Sequence, residues 1–186
     1  MAPPGNPHPI QTRTDLQDQP LVVGTRSWAL DPQARLQHAL DLAHRYLGRR
    51  DRTVLEVRRH LEDKRVEPSC IDAAIAELCE QGYLDDAGYA QRFAEDRRTL
   101  DGWGPDRIER RLASAGVDED LIAHALAARD EAAELDAAIA LVRRRFPQAP
   151  GDDRTRERAL GVLVRRGYGL ELAHEAVRAL ERPHAA

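Results

Sequence analysis

The chain has little of what would commit it to a membrane, a disulfide framework or an active site. Its 186 residues include two cysteines, and no apolar run approaches the roughly 20 residues needed to cross a bilayer. The opening stretch MAPPGNPHPI has neither a charged n-region nor an apolar h-region, so no secretory signal and no membrane partner are expected, and the location expected is cytoplasmic. Cys70 and Cys79 lie nine residues apart in a segment of helical period, which sets them on opposite sides and about 13 Å apart along the axis. They cannot pair or share a metal, and both are expected as small hydrophobes in or near a core.

Catalytic constellations are missing too. Histidines 38, 44, 60, 124 and 174 show no HxxxH or HxxH spacing that would put two imidazoles on one helical face. Gly102 and Gly104 follow no strand and precede no Lys-Ser/Thr, so they do not form a phosphate loop. Ser69, Thr99 and Ser114 have no base at a nucleophile's spacing. Asp85 and Asp86 stand where a helix needs an N-cap. No catalytic residue, metal or cofactor is expected, and the chain reads as a binding protein rather than an enzyme.

Lysine is nearly absent as well: Lys64 is alone among 28 basic residues. The net charge of −4 conceals an uneven spread. Residues 36–66 carry eight basic and five acidic groups, residues 67–130 seven and fifteen, and residues 131–182 ten and nine. The acidic middle argues against a general nucleic-acid binder while leaving local basic faces open.

What remains is helical pattern. Residues 1–34, with six prolines, read as an N-terminal arm in which 21–30 is apolar enough to dock on the body. A helix over 33–49 sets Leu36, Leu40, Ala43 and Leu47 on one stripe. Thr53 and Glu56 have capping-box spacing and open a second helix bearing Val54, Val57 and Leu61. Pro68 starts a third, with Ile71, Ile75 and Leu78 inward, and Gly82 suits the left-handed turn that ends it. Further helices are predicted from Asp85-Asp86, from Pro105, from Asp118, and over 130–146, 153–166 and 170–181; no strand is predicted.

These helices repeat. Leu61, Leu112 and Leu163 recur every 51 residues, followed in phase by Val66, Val117 and Tyr168, by Ile71, Ile122 and Ala173, and by Ile75, Leu126 and Val177. Leu42 matches Phe93, while the first helix of the third unit is out of step by a residue or two. A unit of about 50 residues buries too little apolar surface to stand alone comfortably, so neighbours should stack. The expected fold is all-α: three tandem three-helix repeats at 35–84, 85–129 and 130–182, with a tail at 183–186, stacked into an elongated, curved array.

The run GYLDDAGYAQRFAEDRRTLDGWGPDRIERRLASAGV, residues 82–117, resembles the signature of the RecX family of recombinase regulators. It has the Gly-Tyr-Leu-Asp-Asp turn, two aromatic-Ala pairs four residues apart, and the Gly-x-Gly-Pro helix start. The segments ALDLAHRYLGRRDRTVLEVRRHLEDKRV and IDAAIAELCEQ resemble the family's first unit, and the likeness spans about 36–181. The resemblance implies a protein of tandem three-helix repeats with no catalytic site. It implies RecA and the RecA–single-stranded DNA filament as partners, with filament growth, ATP hydrolysis, strand exchange and co-protease activity restrained in DNA repair and the SOS response. A monomer is expected, with at most weak direct binding to DNA. The competing reading is an independent DNA-binding module of helix-turn-helix-like units.

Candidate contact residues are the basic groups of the middle helices and their approaches: Arg49, Arg50, Arg58, Arg59 and Arg65 in unit one, Arg107, Arg110 and Arg111 in unit two, and Arg154, Arg158 and Arg165 in unit three. If stacking aligns these helices, the arginines form a discontinuous basic stripe suited to phosphate or carboxylate. The bland alternative is a solvated surface with intrahelical pairs such as Glu62–Arg58. Trp103, between two glycines, must pack or bind. Tyr83, Tyr89 and Phe93 are expected in the core.

Overall fold

The computed structural model describes residues 31–148 and 150–181. The N-terminal arm, including the apolar stretch 21–30, and the tail lie outside the described residues. Among the described residues there are nine helices and no strand. They are α1 (Pro32–Leu47), α2 (Val54–Asp63), α3 (Pro68–Glu80), α4 (Asp86–Asp101), α5 (Pro105–Ser114), α6 (Glu119–Leu126), α7 (Glu131–Arg145), α8 (Asp153–Arg166) and α9 (Leu170–Glu181).

Helix starts follow the local chemistry. Thr53 and Glu56 form the full capping box, and Asp85, Asp130 and Asp152 each accept from an amide three residues on. Pro32, Pro68 and Pro105 occupy first turns, where a missing N–H costs nothing. Asp86 departs from expectation. Its carboxylate accepts from the Val54 amide at 3.0 Å, so it closes the start of α2 rather than of its own helix.

Helices pack in threes around separate cores, one under α1–α3, one under α4–α6 and one under α7–α9. The 51-residue register is physical. Leu61, Leu112 and Leu163 are all buried, as are Val57, Ile108 and Ala159, and Ala74, Ala125 and Ala176. After each core leucine the chain makes the same turn: Val66, Val117 and Tyr168 donate their amides to Leu61, Leu112 and Leu163. Between them Arg65, Gly116 and Gly167 take left-handed backbone, so unit one tolerates at Arg65 a strain that glycine relieves in the other two.

Four further expectations need correction. The first helix of the third unit slips by three residues: buried Ala39 and Ala43 match Ala90 and Ala94, but then Ala138 and Val142. The longer α7–α8 connection absorbs the slip. Tyr83 is 59% exposed, because the turn after α3 buries Leu84 in its place. Cys70 is buried but Cys79 is exposed, since the opposite sides of α3 cannot both face one core. Arg58 pairs with Asp72 of α3 at 2.7 Å instead of with Glu62.

Candidate binding surface

Units meet through a joint that itself repeats every 51 residues. At the first joint the Thr53 hydroxyl donates to the Ala115 carbonyl at 2.7 Å, while Leu55 covers Gly116 so closely that a Cβ there would sit 2.2 Å from its side chain. At the second, the corresponding Gly104 amide donates to the Arg166 carbonyl at 2.9 Å, and Asp106 donates to Gly167 at 3.1 Å. The start of each middle helix thus rests on the end of the next unit's middle helix. Orphan amides of α5 satisfy orphan carbonyls of α8, and α2, α5 and α8 run head to tail with their dipoles in series.

This alignment brings Arg107, Arg110 and Arg111 of α5 beside Arg165 of α8, while the arginines of α2 have other surroundings. In unit one three of the six around α2 are engaged: Arg50 and Arg52 flank Glu56 at 3.1 and 3.7 Å, Arg52 lies over the Tyr46 ring at 4.1 Å, and Arg58 holds Asp72. Arg49 and Arg59 are exposed, and Arg65 sits in the left-handed turn. In units two and three, Arg107, Arg110, Arg111, Arg154, Arg158 and Arg165 have no carboxylate within ion-pair distance among the described residues. Arg107 instead bonds the Arg165 carbonyl, and Arg110 the Asp106 carbonyl.

Trp103 packs rather than projects. It meets Phe93 edge-on at 6.2 Å, with Arg107 over its ring at 4.1 Å and Arg97 at 5.6 Å. Around it a groove forms at the second joint, lined by Asp101 together with Arg107, Arg144, Arg145, Arg165 and Arg166. The equivalent cleft at the first joint mixes Arg50, Arg52 and Arg92 with Asp51 and Asp85. Arg144 and Arg145 escaped the sequence reading because they end α7, outside the middle helices on which it concentrated.

Charge separates by helix. α3 carries Asp72, Glu77 and Glu80 with no arginine or lysine; α6 carries Glu119 and Asp120 with none; α9 sets Glu171, Glu175 and Glu181 against Arg178. The acidic excess of the middle third therefore lies largely off α5.

One functional-looking group was invisible in sequence. Arg98 is buried, pairs with buried Glu134 of α7 at 3.2 Å, and donates to the Ala125 and Leu126 carbonyls at 3.3 and 2.9 Å. It closes the end of α6 and holds unit three on unit two. Burial raises the Glu134 carboxyl above its ordinary value, and Arg98 opposes that rise. Among the described residues no three His, Cys, Asp or Glu side chains cluster so as to hold a metal, and no helix is long and apolar enough to cross a membrane.

Comparison with known proteins agrees with this architecture. Residues 39–78 match the RecX first three-helix domain and residues 85–126 the RecX second three-helix domain. The chain is 38% identical to a regulatory protein RecX of Mycobacterium avium (strain 104), over 77% of this chain and 85% of the relative. It is 33% identical to one from Mycolicibacterium smegmatis, over 89% and 92%. The crystal structure of RecX from Lactobacillus salivarius superposes with a TM-score of 0.71 at 18% identity, covering 80% of this chain and 98% of that one, which supports the fold. With repeat, joint and sequence in agreement, the chain belongs to the RecX family of regulatory proteins.

Proposed function

We propose that this protein binds the RecA–DNA filament as a monomer and restrains its recombinase, ATPase and co-protease activities. The observation that carries the reading is the head-to-tail series α2, α5 and α8, which presents arginine along a body of three units. A repeating ligand offers equivalent contacts at regular intervals, and a repeated receptor engages several of them at once. Family membership supports a regulatory role; the partner and the direction of regulation are our inference.

Acidic third helices weigh against an independent DNA-binding module. In helix-turn-helix units the last helix enters the major groove, and here that helix would bring two or three carboxylates toward phosphate in every unit. The test is DNA-dependent ATP hydrolysis by the cognate RecA with substoichiometric protein added. A fall in rate with shorter filaments is expected, and unchanged rate and filament length would overturn the proposal.

A further inference from the structure

The groove at the second joint is more cationic than its counterpart at the first: five arginines line it with one carboxylate, Asp101, which Arg97 holds. Arg144, Arg145, Arg158 and Arg165 are exposed around it and make no carboxylate contact among the described residues. Its floor includes the apolar side chains of Leu141 and Val162. Arginines crowded without neutralising partners repel one another, which a folded chain sustains only where burial, stacking or a ligand compensates. Arg107 is compensated by stacking on Trp103. Arg158 lies over the Phe146 ring at 6.0 Å, while Arg144, Arg145 and Arg165 have no such support among the described residues.

We infer that this groove receives an acidic segment of the partner protein, whose carboxylates bond in pairs to these guanidinium forks. The inference rests on the filament-binding reading and names the chemistry of the surface met. Three observations favour a peptide over a nucleic-acid strand. Arg107 lies over the Trp103 ring at 4.1 Å and Arg97 at 5.6 Å, so guanidinium groups already take stacking positions on the indole that a base would need. An extended polyanion leaving the groove meets a chain of net charge −4 whose third helices are acidic, whereas a short acidic segment ends with the groove. The apolar floor beside the arginines suits amphipathic side chains, the usual makeup of a protein-interface centre.

The chain has two tryptophans, so Trp28→Phe leaves Trp103 as a single reporter within the full-length protein. Polyglutamate is titrated while Trp103 fluorescence is followed, with oligothymidylate in a separate arm. A saturable change with polyglutamate is expected, weakened about tenfold by Arg144→Glu or Arg165→Glu. Arg144→Gln should give a smaller loss, and Arg178→Glu on α9 none. Circular dichroism establishes that each variant keeps its helices. Absence of saturable polyglutamate binding would overturn the inference, as would tighter oligothymidylate binding through the same arginines, which would make the groove a phosphate track. Co-sedimentation with RecA filaments separates the two readings. If the parent protein and the Arg144→Glu/Arg165→Glu variant pellet equally, the groove assignment falls while filament binding stands. If the parent does not pellet, filament binding falls, and the polyglutamate titration still decides the chemistry of the groove.

Discussion

At the scale of single residues, Arg98 and Thr53 each serve two units at once, and their costs follow from burial. Removing one partner of a buried ion pair strands the other charge, typically at about 3–5 kcal/mol, so Arg98→Met is expected to destabilise by that order near neutral pH. The effect has a sign in pH. Burial already raises the Glu134 carboxyl, and loss of Arg98 removes the charge that opposes the rise. A buried carboxyl held above its unfolded value favours folding while protonated and opposes it as pH climbs through the raised value. Urea unfolding should therefore show a smaller deficit for Arg98→Met at about pH 4.5 than at about pH 7.5; an equal deficit at both would remove Glu134 from the explanation. The fully buried Thr53 hydroxyl accepts from the half-buried Glu56 amide and donates to the buried Ala115 carbonyl. Thr53→Ala should cost about 1–2 kcal/mol, and Thr53→Ser, which keeps the hydroxyl, markedly less.

At the scale of elements, the joints explain both what the sequence made legible and what it hid. Periodicity records which side of a helix faces its own core, so the in-phase leucines, the capping box and the left-handed Gly82 were all readable. It does not record which surfaces meet between units. Asp86 looked like an ordinary cap because its true partner, the Val54 amide, lies 32 residues upstream. Arg97 and Arg98 are the same residue type side by side, and only the fold tells the half-buried one from the buried one. Glycines at the joints offer a controlled test. Gly82 and Gly167 both hold positive φ, at 74° and 91°, so alanine strains the backbone at each. At Gly82 a new Cβ meets nothing within 4 Å, whereas at Gly167 it falls 2.4 Å from the Arg107 Cβ. Gly167→Ala should thus lower the melting temperature further than Gly82→Ala, by the equivalent of about 1–3 kcal/mol of overpacking. Equal shifts would show that α5 and α8 do not bear on one another in solution.

At the scale of the molecule, the arginines were legible as residues but their distribution was not, since sequence gave the three middle helices equal weight. In the fold, Arg50, Arg52 and Arg58 of unit one are held by Glu56 and Asp72, while on α5 and α8 only Arg156, held by Asp153 and Glu181, meets a carboxylate among the described residues. A partner surface that senses this difference should respond to α5 and α8 far more than to α2 or to the acidic third helices. Arg110→Glu with Arg111→Glu on α5 is expected to raise the concentration needed for half-inhibition of RecA ATP hydrolysis by about tenfold, as loss of charge-assisted contacts does. Glu77→Lys on α3 reverses a charge on the opposite class of helix and should leave that concentration unchanged. A DNA-binding module would give the reverse pattern. Added positive charge on α3 would tighten duplex binding and steepen its salt dependence, because each phosphate neutralised releases counterions. Measuring both variants in the ATPase assay and against free duplex across a salt series therefore tests the regulator and the DNA-binding module in the same experiment, and enhanced inhibition together with enhanced duplex affinity for Glu77→Lys would decide for the latter.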